Sequence, residues 1–338
     1  MNLNILWFVL IGILYTGYFV LEGFDFGVGI LHVLIGKDDT QRRVILNTIG
    51  SYWDGNEVWL ISAGGATFAA FPQWYATLFS GFYLPLFLIL IALILRGAAL
   101  EFRSRVENLA WRRIFGWAIF VGSLLPALLW GVAFANIVRG VPIDASMQYT
   151  GGFWNLLNPF ALIAGVVSLF GFTLHGAIFI SLRTTGEVRE RAKRYANGLW
   201  IAVILAALAL TVSSYTFGGI FTGFGLNGGI LLLLGLAVLI VLRFVLAGGS
   251  DGWAFALSAI GVILFSSAIF VTLFPNVMVS STAAANNLTI YNAASGPYTL
   301  ALMSKIALVL VPLVLLYQGW TYWTFRKRVS GKPEELHY

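Results

Sequence analysis

Apolar stretches of twenty or more residues recur along almost all of this 338-residue chain, and no long polar block separates them. A helix needs about 20 mostly apolar residues to cross the hydrocarbon core of a bilayer. A spanning barrel would instead alternate apolar and polar residues over segments of about ten, which these stretches do not do. The chain therefore reads as an all-α integral membrane protein, a single polytopic domain over residues 1–338. Its composition agrees, with 59% hydrophobic and only 10% charged residues, against about 25% charged in an ordinary soluble domain. The absence of cysteine excludes structural disulfides, iron–sulfur ligation and thiol nucleophiles. No cleaved signal peptide is expected, because Met1-Asn-Leu-Asn4 lacks a basic region and the apolar stretch behind it is too long.

Nine spans are predicted, near 4–35, 48–71, 75–98, 114–138, 157–183, 196–217, 229–247, 253–274 and 299–323. Gly140-Val-Pro142 and the Gly-rich link 223–229 punctuate them, and the link joins two hydrophobic helices, which argues against a phosphate-cradling loop. The segments after odd-numbered spans are basic. They hold Lys37, Arg42 and Arg43; Arg96, Arg103, Arg105, Arg112 and Arg113; Arg183, Arg189, Arg191, Lys193 and Arg194; Arg243; and Arg326, Lys327, Arg328 and Lys332. These are eighteen of the twenty Lys and Arg residues, leaving Arg139 and Lys305 opposite. By the positive-inside rule the N-terminus lies outside and the C-terminus is cytoplasmic. The net charge of +6 is thus topological and implies no nucleic acid. The largest external segment, 275–298, is expected to form a folded cap.

Four carboxylates need a reason: Glu22 and Asp25 in the first span, Asp54 and Glu57 in the second. A carboxylate at the bilayer centre costs roughly 2.5–3.5 kcal/mol on the mild insertion scales. At 1.5 Å per residue, Asp25 lies roughly 15 Å and Glu22 roughly 20 Å from the inner end of the first span, with Asp54 roughly 9 Å and Glu57 roughly 14 Å into the second. Each i, i+3 pair shares a helical face, and the short connection makes the two helices antiparallel neighbours. One polar patch in the cytoplasmic half of the membrane is therefore expected. It suits a proton relay or cation site; the alternative is a structural network with Asn47, Asn56, Arg96 or a partner's basic residues. His32 and His175 lie within spans, where a histidine either ligates haem iron or packs as a hydrogen-bonded residue. Gly23-xxx-Gly27 and Ala63-Gly-Gly-Ala66 permit close helix packing.

Glu22-Gly-Phe-Asp-Phe-Gly-Val-Gly29, Arg42-Arg43 and Trp53-Asp-Gly-Asn-Glu-Val-Trp-Leu60 together resemble subunit II of cytochrome bd quinol oxidase. The resemblance continues through Ala63-Gly-Gly-Ala66, Phe68-Ala-Ala-Phe-Pro72, Ser80-Gly-Phe-Tyr83, Glu101-Phe-Arg103, Arg183-Thr-Thr-Gly-Glu187, Phe274-Pro275 with Ser280-Ser-Thr282, and Tyr322-Trp323. It implies a bacterial or archaeal cytoplasmic-membrane complex that oxidises quinol and reduces dioxygen to water. It also implies nine helices, arranged as two four-helix-bundle-like halves plus a peripheral helix. Haem b and haem d would be carried mainly by a haem-bearing subunit I, with small single-span accessory subunits, lipid and quinone as further partners. No cofactor or metal site, and no catalytic residue, is expected in this chain alone. Family resemblance associates Asp25 and Asp54 with proton delivery, with Glu22 and Glu57 as supporting members. Relatives with a long insertion between spans six and seven differ from this chain, which has only the Gly-rich link there. The competing reading is a proton- or cation-coupled secondary transporter using the same carboxylates.

Overall fold

A computed structural model describes residues 2–217, 227–331 and 336. The chain folds into α-helices with one two-stranded ribbon. Among the described residues eight helices are long and apolar enough to cross a membrane. These are α1 (Leu3–Ile35), α5 (Tyr83–Phe102, continued by one 3-10 turn), α6 (Leu109–Arg139), α7 (Pro159–Arg183), α8 (Gly186–Phe217), α9 (Gly228–Gly248), α10 (Asp251–Leu273) and α11 (Pro297–Thr324). Three others are α2 (Asp39–Asn47), α3 (Trp53–Ala70) and α4 (Pro72–Gly81).

The departures from expectation have local causes. The second span is shorter than 48–71: a turn over 48–52 delays α3 to Trp53. Its polar and small residues keep α3 outside the eight apolar helices, although it lies antiparallel to α1, with Asn56 bonded to Leu21 O and Trp59 against Gly17. The third span is broken, because Phe82 (φ −103°, ψ 25°) leaves helical geometry between α4 and α5. Pro72 starts α4 at a position where a missing N–H costs nothing. The sixth helix begins ten residues before its predicted span, since the charged stretch Gly186–Tyr195 is helical but not apolar. The Gly-rich link lies outside the described residues except for 227–229, as do Lys332 and His337.

α1 is the central stave, packed against α3, α6, α7 and α10. Its closest backbone-to-backbone contact is with α7. A Cβ on Gly27 would lie 2.2 Å from the Phe172 carbonyl oxygen and 2.7 Å from Gly176 Cα, so the two backbones touch. Gly64 and Gly65 behave differently. A Cβ there would meet nothing within 4 Å, so these two glycines serve no packing inside this chain, whereas Ala63 of the same motif is fully buried.

The basic segments converge at one end of the helices. Asp39 joins Arg103 and Arg112, Tyr195 reaches Leu34 O, and Asp251 is held by Arg189, Lys193 and Arg328. The opposite end carries a folded cap. Strands β1 (Asn276–Met278) and β2 (Leu288–Thr289) pair antiparallel. Thr282 and Asn286 bond to Ile143 O, and Ser295 N–H to Ala70 O. α11 is tied mainly at its ends. Trp7 Nε1 donates to Leu300 O at one end, and Tyr52 OH donates to Phe325 O just past the other. Little of its middle is covered.

Candidate functional site

Glu22 and Asp25 stand one turn apart on α1, and both are fully buried. α1 can hold them because α5 supplies a cation at the same level: Arg96, itself 1% exposed, forms an ion pair with Glu22. The same guanidinium nitrogen lies 3.4 Å from Glu57 Oε1 on α3, and the guanidinium stacks 4.9 Å from the Phe26 ring centroid. Asp25, beside Glu22 and within the field of Arg96, is also held from α3. Its Oδ2 accepts a 2.8 Å hydrogen bond from Asn56 Nδ2, and Asn56 Oδ1 accepts from the Tyr322 hydroxyl at 2.8 Å and from Gln318 Nε2 at 3.4 Å. Thus α1, α3, α5 and α11 all contribute to one cluster of three carboxylates, one guanidinium and an amide bridge.

One cation among three carboxylates leaves the site acidic. A buried ion pair is expensive unless its remaining lone pairs and N–H groups are bonded. Here Glu22 Oε2, Asp25 Oδ1, Arg96 Nε and Arg96 Nη1 are buried with no hydrogen-bond partner in the protein. Buried polar groups of this kind are ordinarily satisfied by water. The arrangement can hold protons and water inside a helical bundle.

Asp54 is not brought into this cluster. It is exposed in the first turn of α3 and accepts the Gly55 N–H at 2.7 Å. Three residues on, Glu57 turns inward to Arg96, so the pair spans the edge of the protein rather than sharing one buried face. Val58 and Ile61 continue the outer face on which Asp54 lies. Asn47, a sequence candidate for carboxylate bonding, donates to Arg43 O at 2.8 Å. Tyr322 and Gln318 are the contributors that sequence reasoning missed. Their signal was a hydroxyl and an amide one turn apart, directly after the apolar run 306–316.

The two buried histidines differ. His175 Nδ1 is 2.7 Å from Ser258 Oγ, Nε2 is 3.1 Å from Val20 O, and the ring stacks 4.9 Å from Phe255. His32 Nδ1 bonds to Gly29 O at 2.7 Å, while Nε2 has no partner. A Cβ on Gly116 of α6 would come within 3.4 Å of that nitrogen, which leaves no width for a porphyrin. Neither histidine fits an axial haem ligand. Among the described residues no three His, Asp or Glu side chains are placed to hold a metal ion.

Outside the apolar spans, Asp39 sits between Arg103 (2.5 Å) and Arg112 (2.6 Å). Burial alone would raise its carboxyl, but the two guanidiniums overcome that and hold it below the usual carboxylate range.

The sequence pattern described as "Cytochrome bd terminal oxidase subunit II" matches residues 3–325. The chain is 45% identical over 337 residues to the cytochrome bd ubiquinol oxidase subunit 2 of Bacillus subtilis (strain 168), covering 98% of each protein. It is 36% identical over 374 residues to the cytochrome bd-I ubiquinol oxidase subunit 2 of Escherichia coli (strain K12), covering 98% of this chain and 97% of the relative. A chain in "The structure of bd oxidase from Geobacillus thermodenitrificans" has the same fold, with a TM-score of 0.72 at 17% identity over 94% of this chain and 98% of that one. The transporter reading is not favoured by any of these likenesses. This multi-pass inner-membrane chain belongs to the cytochrome bd terminal oxidase subunit II family.

Proposed function

We propose that this chain is the haem-poor subunit of a quinol-oxidising, dioxygen-reducing complex, and that it supplies cytoplasmic protons through Glu22, Asp25, Asp54 and Glu57. The observation that carries the proposal is the Glu22–Arg96–Glu57 and Asp25–Asn56 cluster, buried on α1 beside an exposed carboxylate, Asp54, on α3. Nine helices cross the membrane in this reading, the polar α3 being the ninth. The external cap lies outside and the basic end is cytoplasmic, by the charge bias. α3 is polar because its outer face, with Asp54, Gly65 and Ser62, meets protein and not lipid. That protein is the haem-bearing subunit I, with small single-span subunits, lipid and quinone completing the surroundings. Haem b and haem d would supply the electron transfer and oxygen chemistry from the partner; the described histidines, His32 and His175, offer them no ligand.

In this scheme Asp54 takes up a proton at the subunit boundary and Asp25, one helix inward, holds it. Glu22 and Glu57 share Arg96, so the site can change its proton count without leaving a bare charge in the bundle. Asn56 fixes the Asp25 carboxylate while leaving Oδ1 open for transfer. The test is the purified complex with Asp25→Asn or Asp54→Asn. Quinol-driven oxygen consumption should fall about tenfold or more while the haem spectra stay intact. Unchanged turnover in both variants would overturn the relay.

A further inference from the structure

A second set of buried, unpartnered polar atoms lies between α1, α5 and α6, away from Asp54. At the basic end, His32 Nε2, Arg103 Nε and Arg103 Nη1 are all buried without a hydrogen-bond partner. They face one small space. The spot that a methyl on Gly116 would fill lies 3.4 Å from His32 Nε2 and 3.9 Å from Arg103 Nε, and only those two atoms of the surrounding helices come within 4 Å. A buried water needs two to four polar partners, and His32 Nε2 and Arg103 Nε would supply two of them. Asp39, about one-quarter exposed, pairs with Arg103 and Arg112 and so links this arginine to the surface.

Two turns farther along α6, about 10 Å by helix rise, Ser123 is fully buried and its hydroxyl also has no partner. It nests against Gly29 of α1, where a Cβ would stand 2.0 Å from Oγ. The neighbouring Gly122 touches Arg96, whose Cβ would be 2.8 Å away from a side chain placed there. Arg96 Nε and Nη1 are open in turn, next to the open Glu22 Oε2. Two or three waters at ordinary hydrogen-bond spacing cover about 10 Å.

We infer that water fills this seam, and that it forms a second proton-uptake route, contained in this chain, from Asp39 and His32 past Ser123 to the Glu22–Arg96–Asp25 cluster. The inference rests on the relay reading of that cluster. Because Gly29 O can only accept, His32 Nδ1 carries the hydrogen in the neutral ring and Nε2 presents its lone pair to the space. A proton reaching that nitrogen from the outer water leaves from the same nitrogen to the next water, and ends on Glu22 Oε2. No bond other than O–H and N–H forms or breaks.

The cysteine-free sequence gives a direct test in the assembled complex. Ser123→Cys and Ala127→Cys place thiols one turn apart on α6, the second in a fully buried apolar position. After transfer to D2O the infrared S–H band of Ser123→Cys, read against the wild-type complex, should shift to S–D about tenfold or more sooner than that of Ala127→Cys. Equal exchange would overturn the water seam. Gly116→Ala fills the lower space at ordinary contact distance and, in the Asp54→Asn background where the first route is blocked, should cut the remaining quinol-driven oxygen consumption about tenfold with unchanged haem spectra. Rapid thiol exchange with no further loss from Gly116→Ala in that background would overturn the proton route. Full turnover in Asp25→Asn would instead overturn the relay itself, and the exchange result would stand apart from it.

Discussion

The two flanks of α1 use the same helix for opposite purposes. Towards α7 and α10 it is closed: Gly27 meets Gly176 backbone to backbone, and His175 has both ring nitrogens bonded and its face stacked on Phe255. Towards α3, α5 and α6 it is open in the hydrogen-bonding sense, with Glu22, Asp25, His32, Arg96, Arg103 and Ser123 all holding unpartnered atoms at full burial. Polarity alone does not separate these flanks, since each has a buried histidine. Valence does. A buried polar group with every lone pair used is fixed structure, whereas a row of unused ones calls for water and permits proton movement.

Arg96→Leu should show the largest effect on the open flank. It strands Glu22, fully buried, without its cation, and breaking a buried pair in this way costs about 3–5 kcal/mol. Thermal melting of the complex in detergent measures this, and an unshifted midpoint would show that water rather than Arg96 compensates the carboxylates. Gly176→Ala probes the closed flank. Its Cβ would stand 2.5 Å from Gly27 Cα, and overpacking of this kind costs about 1–3 kcal/mol. The same melt reads the loss; turnover per surviving complex should fall less than in Asp25→Asn, because Gly176 bears no proton and touches none of the four carboxylates. Asp39→Asn at the surface should have the smallest effect, about 1 kcal/mol for a partly exposed charged bond. Since its two arginines hold Asp39 low, that stabilisation is present above the usual carboxylate range and is lost as pH falls through the lowered value. Melts of the two proteins should therefore converge in acid; a gap that persists there would assign the loss to shape, not charge.

Apolar length made most of the fold legible, because the bilayer demands it residue by residue. Gly23-xxx-Gly27 likewise marked a close helix contact, which the structure makes with α7. What escaped was anything governed by rotation or by helices that are not apolar. Gly186–Tyr195 is helical yet charged, so an apolar window starts α8 too late, and the same window passes over the break at Phe82 although Gly81 and Pro85 bracket it. The i, i+3 spacing of Asp54 and Glu57 placed them on one face, but α3 begins at Trp53 and turns that face to the protein edge, so one carboxylate points in and the other out. Arg96 was a visible candidate partner. The open nitrogen of His32 was not visible, because it depends on a glycine eighty-four residues away.

The last helix is fastened at both ends and open between them, and its inner fastening is the same Asn56 that grips Asp25. Tyr322, Asn56 and Asp25 form a series of rigid bonds, hydroxyl to amide to carboxylate, each 2.8 Å long. α11 is in that sense a lever with its short arm on the acid: in the proposed relay, a push against its uncovered flank would reach Asp25.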